Sequence, residues 1–253
     1  MKPIANIDLS TVLSKGVEPR LIEPHIFSVL PEIAVANTYD TQFGNMYDRI
    51  ACNPVYNRLI WGYSIGIFAT IIHDALRSSK KGYVLDLGCG SLAFTAKTYL
   101  QYCQRPVILA DQSLKMLQIA KARLLKANGT IPDNMVFLHT DALQLPFRAK
   151  SLDTIISENL LHCLDDTEQV LKCVKNILTD RGRMYFTTLI KADRFADRYL
   201  EALANKGKLV ARSIDDHLAT FKKLAIPVSY QTEGNMTTIS TTAGYSQDTV
   251  IDG

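Results

Sequence analysis

From Gly82 onward, short apolar runs rich in β-branched residues alternate with longer segments whose apolar residues recur at helical spacing. The short runs predict five strands, at 83–88, 106–111, 135–141, 152–158 and 183–190. The longer segments predict helices, near 93–102, 114–127, 166–178, 194–206 and 214–224. Strands that alternate with helices are typical of a parallel sheet with helices on both faces, so the pattern predicts a doubly wound α/β fold.

The pattern changes near the C-terminus, where strand periodicity replaces helical periodicity. The stretch PVSYQTEGNMTTISTTA, residues 227–243, alternates apolar and polar positions around the pair Gly234–Asn235. Two alternating runs joined by such a pair predict an antiparallel hairpin with a two-residue turn. The last residues, 246–253, are expected to form a polar tail.

The first 80 residues differ from the rest and are expected to form an N-terminal arm and helical cap. Residues 1–38 contain four prolines and no sustained period, which predicts an irregular arm with one short helix. From Tyr39 to Gly82 the chain predicts two helices broken near Pro54. The predicted division is therefore a cap at 1–80, a catalytic domain at 81–245 and the tail.

Composition and charge give no support to several classes of protein. The chain has 253 residues, 47% apolar content and a net charge of +3, without a long run of one sign, so no nucleic-acid partner is expected. Its five cysteines are scattered, without the spacing of a zinc site or a disulfide framework, so we expect no metal and a cytoplasmic location. The most apolar stretch, residues 59–73, is shorter than the ~20 residues that a membrane span needs, and it predicts a buried helix.

The candidate chemistry begins at VLDLGCGSLAF, residues 84–94, where Gly88 and Gly90 follow a predicted strand. Glycines at this point let the backbone turn tightly and approach a nucleotide-like ligand. With Ala93 in the third position the stretch also fits the looser dinucleotide pattern. Asp86, however, would repel a diphosphate, whereas the sulfonium and ammonium groups of S-adenosylmethionine are favoured near a carboxylate.

Two further acids follow the next two strands. Asp111 ends the strand at 106–111, where a carboxylate can accept hydrogen bonds from ribose hydroxyls; the alternative is a helix N-cap, although Ser113 also fits that role. Asp141 ends the strand at 135–141, where it can accept a hydrogen bond from an adenine amino group while the Ala142 amide donates one.

These motifs together resemble the class I S-adenosylmethionine-dependent methyltransferases, in particular the small-molecule branch with the ubiquinone and menaquinone biosynthesis enzymes. The resemblance covers about residues 40–245 and rests on their order and spacing. Its motifs are VLDLGCGSLAF, LADQSLKMLQIAK, HTDALQLPF, SLDTIISENLLHCLDD and NILTDRGRMYFTT. It implies a mostly parallel seven-stranded sheet that ends in an antiparallel hairpin. The chain departs from the family at Leu92, where a third glycine is common.

The resemblance also implies a cofactor and a set of residues that bind it. The cofactor would be S-adenosyl-L-methionine, with S-adenosyl-L-homocysteine as product. Gly88 and Gly90 would hold its methionyl end, Asp111 its ribose, and Asp141 with Ala142 its adenine; Gln112 is also a predicted cofactor-binding residue. Asp86 and Glu158 complete the predicted cofactor set, although Glu158 alternatively only closes its strand.

The predicted reaction is an in-line methyl transfer to an oxygen, nitrogen or carbon atom of a small organic acceptor, which positioning alone can largely catalyse. His162 is the candidate base, because it follows the strand at 152–158 and histidine titrates near neutral pH; the alternative is a histidine that bonds the backbone of a neighbouring loop.

Aromatic residues before the glycine motif suit a flat or apolar acceptor. Tyr47 and Asp48 are the candidate lid residues, whereas ordinary packing is the favoured interpretation of Trp61 and Tyr63. The sequence does not indicate an oligomeric state, and an oligomer is compatible with it. Two other functions stay open: an NAD-dependent oxidoreductase, and a noncatalytic binding protein with the methyltransferase fold.

Overall fold

The protein is described by a computed structural model that covers residues 7–31, 53–78 and 81–242. Nine strands occur in these ranges: β1 (Arg20–Glu23), β2 (Ile26–Ser28), β3 (Val84–Leu87), β4 (Val107–Asp111), β5 (Met135–His139), β6 (Leu152–Glu158), β7 (Leu178–Leu189), β8 (Val228–Glu233) and β9 (Met236–Thr241). They form one sheet in the order β1-β2-β5-β4-β3-β6-β7-β9-β8.

The seven strands from β3 to β9 form the predicted sheet. Strands β5, β4, β3, β6 and β7 are neighbours in parallel, and β9 runs antiparallel to both β7 and β8. The hairpin of β8 and β9 turns at Gly234 and Asn235, as predicted, and Gly234 has the positive φ of 61° that such a turn requires. The predicted fold class, α/β with a mostly parallel sheet and a terminal hairpin, is confirmed.

Six helices of at least seven residues occur in the described ranges: α1 (Gly66–Ser78), α2 (Ala96–Tyr102), α3 (Leu114–Asn128), α4 (Thr167–Ile177), α5 (Ala196–Asn205) and α6 (Ile214–Lys223). Short helical turns occur at Leu9–Thr11, Pro54–Tyr56, Asn57–Trp61 and Leu161–Cys163. The predicted break near Pro54 is the start of a helical segment, because the Asn53 side chain accepts hydrogen bonds from the amides of Val55 and Tyr56.

The parallel strands are buried on both faces, which explains why they form uninterrupted apolar runs in the sequence. Within β4, Ile108 and Ala110 belong to one core cluster, which also contains residues of α4 and α6. Val107 and Leu109 belong to the second cluster, together with residues of α1, α2 and α3. Successive residues thus face opposite layers of helices. The chain leaves the apolar core only where each strand ends.

The N-terminal segment extends the sheet. Strands β1 and β2 form a hairpin around His25, and β2 pairs in parallel with β5, where Phe137 N donates to His25 O at 2.9 Å. The expected irregular arm with one short helix therefore contains a hairpin as well as the turn at Leu9–Thr11. The sequence did not predict this hairpin, because strands of three and four residues on either side of Pro24 are too short to show an alternation of apolar and polar residues. The division at residue 80 stays a prediction.

A third apolar cluster covers the end of the sheet beside β7 and includes Trp61, Tyr63, Phe68 and Leu200, in agreement with a packing role for Trp61 and Tyr63.

In the described part of the chain, no single helix has the length and apolar character of a membrane span. The helical segments Pro54–Trp61 and Gly66–Ser78 reach that length and apolar character only when they are taken together, and the chain bends by 100° between them.

Candidate active site

A cavity of about 310 Å³ lies at the carboxyl ends of β3, β4, β5 and β6. The carboxyl ends of parallel strands are where α/β proteins commonly bind ligands. All eight residues predicted to bind the cofactor line this cavity: Asp86, Gly88, Gly90, Asp111, Gln112, Asp141, Ala142 and Glu158. The predicted lid residues, Tyr47 and Asp48, lie outside the described residues and stay predictions.

The glycine loop leaves β3 in a conformation that suits glycine. Gly88 and Gly90 have φ angles of +73° and +54°, in the left-handed region. The amides of Gly88 and Cys89 both donate to Ala110 O on β4, at 2.8 and 3.0 Å. A Cβ at Gly90 would have no atom within 4 Å, so this glycine faces open space where the cavity lies.

The structure shows how Leu92 replaces the third glycine of the family pattern. Its φ of +54° is also left-handed, which is why a glycine suits this position. The conformation costs a leucine about 1–2 kcal/mol. Its side chain is 2% exposed within the core cluster beside α1 and α2, and burial of a leucine contributes about 1.5–3 kcal/mol. The fold therefore accommodates Leu92 without loss of the loop.

Asp111 connects the glycine loop to α3. Its Oδ2 accepts a hydrogen bond from Gly90 N, and its Oδ1 accepts one from Ser113 N, both at 2.8 Å. The N-cap of α3 is Ser113, whose side chain accepts from Met116 N, so Asp111 is not that cap. Two backbone amides thus fix the orientation of this carboxylate at the cavity.

The opposite wall is formed by the loop after β5. Asp141 Oδ1 accepts from Leu143 N at 2.9 Å, which holds Asp141 and Ala142 in a tight turn at the cavity. Gln112 lies nearby, and its carbonyl accepts from His139 Nε2 at 3.0 Å. His139 Nδ1 is in turn 3.0 Å from Ser28 Oγ on β2. The N-terminal hairpin is thereby hydrogen-bonded to the cavity wall, a link that no sequence motif indicated.

Two acids at the inner end of the cavity have oxygens without a partner. Asp86 is 2% exposed; its Oδ2 accepts from the hydroxyl of Tyr99 at 2.9 Å, whereas its Oδ1 has no hydrogen-bond partner among the described residues. Glu158 is half-buried, and its Oε1 is enclosed and similarly unpartnered in the described chain. Burial raises the pKa of Asp86 to about 7 against the effect of the Tyr99 hydrogen bond, and burial followed by the charge of Asp86 raises the pKa of Glu158.

His162 does not line the cavity. It is 4% exposed in the turn after β6, and its Nδ1 accepts a hydrogen bond from Leu189 N at 3.2 Å and lies 3.1 Å from Thr188 Oγ1. Burial, with contributions from His217 and Arg212, lowers the pKa of His162 to about 3, so the ring is neutral at physiological pH. These contacts support the alternative role, a histidine that bonds the backbone of a neighbouring segment.

His162→Ala is therefore expected to keep affinity for S-adenosylhomocysteine within about threefold of wild type, and to retain turnover once an acceptor is known. Its unfolding temperature should fall, because Leu189 N loses its acceptor at a cost of about 1–3 kcal/mol. Isothermal titration and thermal unfolding measure the two effects, with the partly exposed His73→Ala as the control. Loss of turnover with unchanged affinity and stability would restore His162 as the base.

The structure adds residues that the sequence motifs did not mark. Phe94 and Phe68 line the cavity with their rings stacked, at a centroid distance of 5.1 Å and an angle of 5°. Tyr99 is fully buried against Asp86. A helical aromatic pattern could not separate these residues from ordinary core positions. Within the described ranges, no group of three His, Cys, Asp or Glu side chains is arranged to hold a metal ion.

The known proteins that are similar to this chain are methyltransferases. Residues 85–186 match the model of a methyltransferase domain. The ubiquinone/menaquinone biosynthesis C-methyltransferase UbiE of Vibrio campbellii is 30% identical over 185 residues, which are 70% of this chain and 71% of that protein. The 27-O-demethylrifamycin SV methyltransferase of Amycolatopsis mediterranei is 23% identical over 56% of this chain and 53% of its own.

Solved structures show the same fold. Geranyl diphosphate C-methyltransferase from Streptomyces coelicolor, solved with Mg²⁺, geranyl-S-thiolodiphosphate and S-adenosyl-L-homocysteine, superposes with a TM-score of 0.57 at 12% identity, over 70% of this chain and 75% of that one. The YcgJ protein from Bacillus subtilis superposes with a TM-score of 0.53 at 21% identity, over 66% and 70%.

The alternative of an NAD-dependent oxidoreductase finds no support in these relatives. The chain belongs to the class I S-adenosylmethionine-dependent methyltransferases, and it is an enzyme of their small-molecule type.

Proposed function

We propose that the protein binds S-adenosylmethionine in the cavity at the strand ends and methylates a small apolar or aromatic acceptor. One observation carries this proposal: the glycine loop that would hold a cofactor lies beside Asp86 and Glu158, whose Oδ1 and Oε1 have no partner within the described residues. An ammonium group would satisfy both oxygens, whereas a diphosphate at the same place would face two buried acids.

Each wall of the cavity has a role in this proposal. Gly88 and Gly90 admit the methionyl end, because their bare backbone permits close approach. Asp111, oriented by two amides, would accept hydrogen bonds from the ribose hydroxyls. Asp141 and Ala142 would bind the adenine edge, next to Gln112. The bound cofactor supplies a methyl group on a sulfonium, and the chain orients it and keeps water out.

The acceptor is proposed to bind against the aromatic side of the cavity. Phe94 lines this side and is supported from behind by Phe68, and Leu160, Leu164 and Met116 add apolar surface. The names of the similar proteins refer to compounds with large apolar parts: ubiquinone and menaquinone, a rifamycin and geranyl diphosphate. None of the described residues that line the cavity is a histidine or lysine, which favours catalysis by positioning over catalysis by a dedicated cationic acid or base.

Direct titration tests the proposal. Purified protein is titrated with S-adenosylhomocysteine and, separately, with NADH, and mass spectrometry of the protein as purified identifies any nucleoside bound to it. Binding of S-adenosylhomocysteine alone is expected. Binding of NADH alone would overturn the proposal in favour of an oxidoreductase, and binding of neither ligand by folded protein would favour a noncatalytic member of the family.

The same proposal places the reaction in the cytoplasm. Its support is the state of three described cysteines, because Cys89, Cys103 and Cys173 are thiols and not disulfides.

A further inference from the structure

Asp86 and Glu158 lie near the carboxyl ends of neighbouring strands and face the same side of the sheet. Strands β3 and β6 are parallel, and Asp86 is in register with Ile156. Glu158 is two residues further along β6, and side chains two residues apart on a strand point to the same face. The two residues are therefore diagonal neighbours at the inner end of the cavity, with Cα atoms about 8 Å apart.

Tyr99 fixes the orientation of one member of this pair. It projects from α2, is fully buried, and donates its hydroxyl to Asp86 Oδ2 at 2.9 Å. Because that bond occupies Oδ2, the second oxygen, Oδ1, is the one left to meet a ligand. Tyr99 does not itself line the cavity, so it acts through Asp86 as a positioning residue.

The groups that act on this pair within the described residues are acidic or neutral. Asp111 and Cys89 lie near Asp86, and Cys103 lies near Tyr99. No cation contributes to the pKa of either carboxyl group in the described chain. Two buried carboxylates side by side without a cation are unfavourable, because each is desolvated and each repels the other.

We propose that Asp86 and Glu158 act as one acidic pair that retains a proton in the free enzyme and releases it to solvent when the ammonium group of the cofactor binds, with Tyr99 holding Asp86 toward that group. The inference rests on the proposed function, since the ammonium group is that of the cofactor's amino-acid end. The proton leaves a carboxylic acid, and the resulting carboxylate accepts a hydrogen bond from the ammonium group. The ammonium group thus replaces the positive charge of the released proton, and the net charge around the pair is unchanged.

The direction of the pH dependence follows from linkage. Both pKa values are raised in the free enzyme, that of Asp86 to about 7, and a neighbouring ammonium group lowers them. Below the raised pKa the pair must lose a proton in order to bind, so affinity falls as the pH falls. The useful range is pH 5.5–7.0, because an α-amino group itself titrates only near ~8.

The test is calorimetric titration of the full chain with S-adenosylhomocysteine. At pH 6.5, measurements in phosphate and imidazole buffers, which differ in ionisation enthalpy, give the number of protons exchanged. Wild type is expected to release about 0.5 to 1 proton, and its affinity should rise about five- to tenfold from pH 5.5 to 6.5.

Two variants separate the pair from other sources of protons. Glu158→Gln should release fewer protons than wild type and bind more weakly. Tyr99→Phe should shift the pH profile of affinity upward, so that its loss is larger at pH 6.5 than at pH 7.5. A merely structural role of Tyr99 would give the same loss at both values. Tyr102→Phe, on the same helix and 47% exposed, is the matched control and should equal wild type.

The outcomes distinguish this inference from the proposed function. Failure of wild type to bind S-adenosylhomocysteine at any pH would overturn the proposed function. Tight binding with a flat pH profile and no proton release would overturn only the acidic pair. Proton release that persists unchanged in Glu158→Gln and Tyr99→Phe would assign the proton to another group and would also overturn it.

Discussion

Replacing Asp111 with alanine is expected to weaken binding of S-adenosylhomocysteine at least about 100-fold, equivalent to about 2.8 kcal/mol. The carboxylate accepts from Gly90 N and from Ser113 N, so its removal releases the glycine loop and the start of α3 at the same time. It also removes the proposed acceptor for the ribose hydroxyls. Hydrogen bonds to a charged group contribute about 1.5–3 kcal/mol each, which makes this a conservative figure.

Calorimetric titration measures the affinity, and circular dichroism confirms that the variant is folded. Asp133→Ala is the control: Asp133 is exposed and precedes β5, at the amino end of the sheet, away from the cavity. An affinity of Asp111→Ala within threefold of wild type would show that neither its support of the loop nor the proposed ribose contact contributes to binding.

Gly90→Val is expected to abolish measurable cofactor binding and to lower the unfolding temperature by only a few degrees. A Cβ at this position meets no atom within 4 Å, so the free protein suffers no collision. The left-handed φ of +54° costs a non-glycine residue about 1–2 kcal/mol. The added methyl groups would instead occupy the space where the methionyl end is proposed to bind.

The chain contains a matched control for the backbone strain. Gly129 ends α3 with a φ of +78°, and a Cβ there also meets no atom within 4 Å, but it does not line the cavity. Gly129→Val should therefore show a similar loss of stability with wild-type affinity. If the two variants bind S-adenosylhomocysteine equally well, the loop at Gly90 is only a turn.

The sequence predicted the doubly wound part of the fold well because its physical causes are local or periodic. The strand at 106–111 could be identified because both of its faces are buried, so that Ile108 and Leu109 are equally apolar while facing opposite helix layers. The hairpin of β8 and β9 could be identified from its turn, where Gly234 adopts a positive φ. The hairpin of β1 and β2 could not, because its pairing with β5 joins segments more than 100 residues apart.

The candidate site also contains residues that the sequence could place and one that it could not. Asp86, Asp111 and Asp141 could be placed together because parallel strands deliver their carboxyl ends to one edge of the sheet. His162 could not be placed, because it lies in a short turn and its direction is set by Thr188 and Leu189 on another strand. Contacts with residues so distant in the chain produce no recognisable pattern in the sequence.

The hairpin of β1 and β2 also determines where the sheet is vulnerable to self-association. Without it, the outermost strand would be β5, whose residues from Met135 to Leu138 are almost completely buried. An apolar strand with unpaired backbone groups is a template for intermolecular pairing. With the hairpin in place, the edge strand on this side of the sheet, as far as the chain is described, is instead β1, a four-residue strand that begins at the exposed Arg20. Shortened forms of the protein that begin after Ser28 would therefore lose this protection against aggregation.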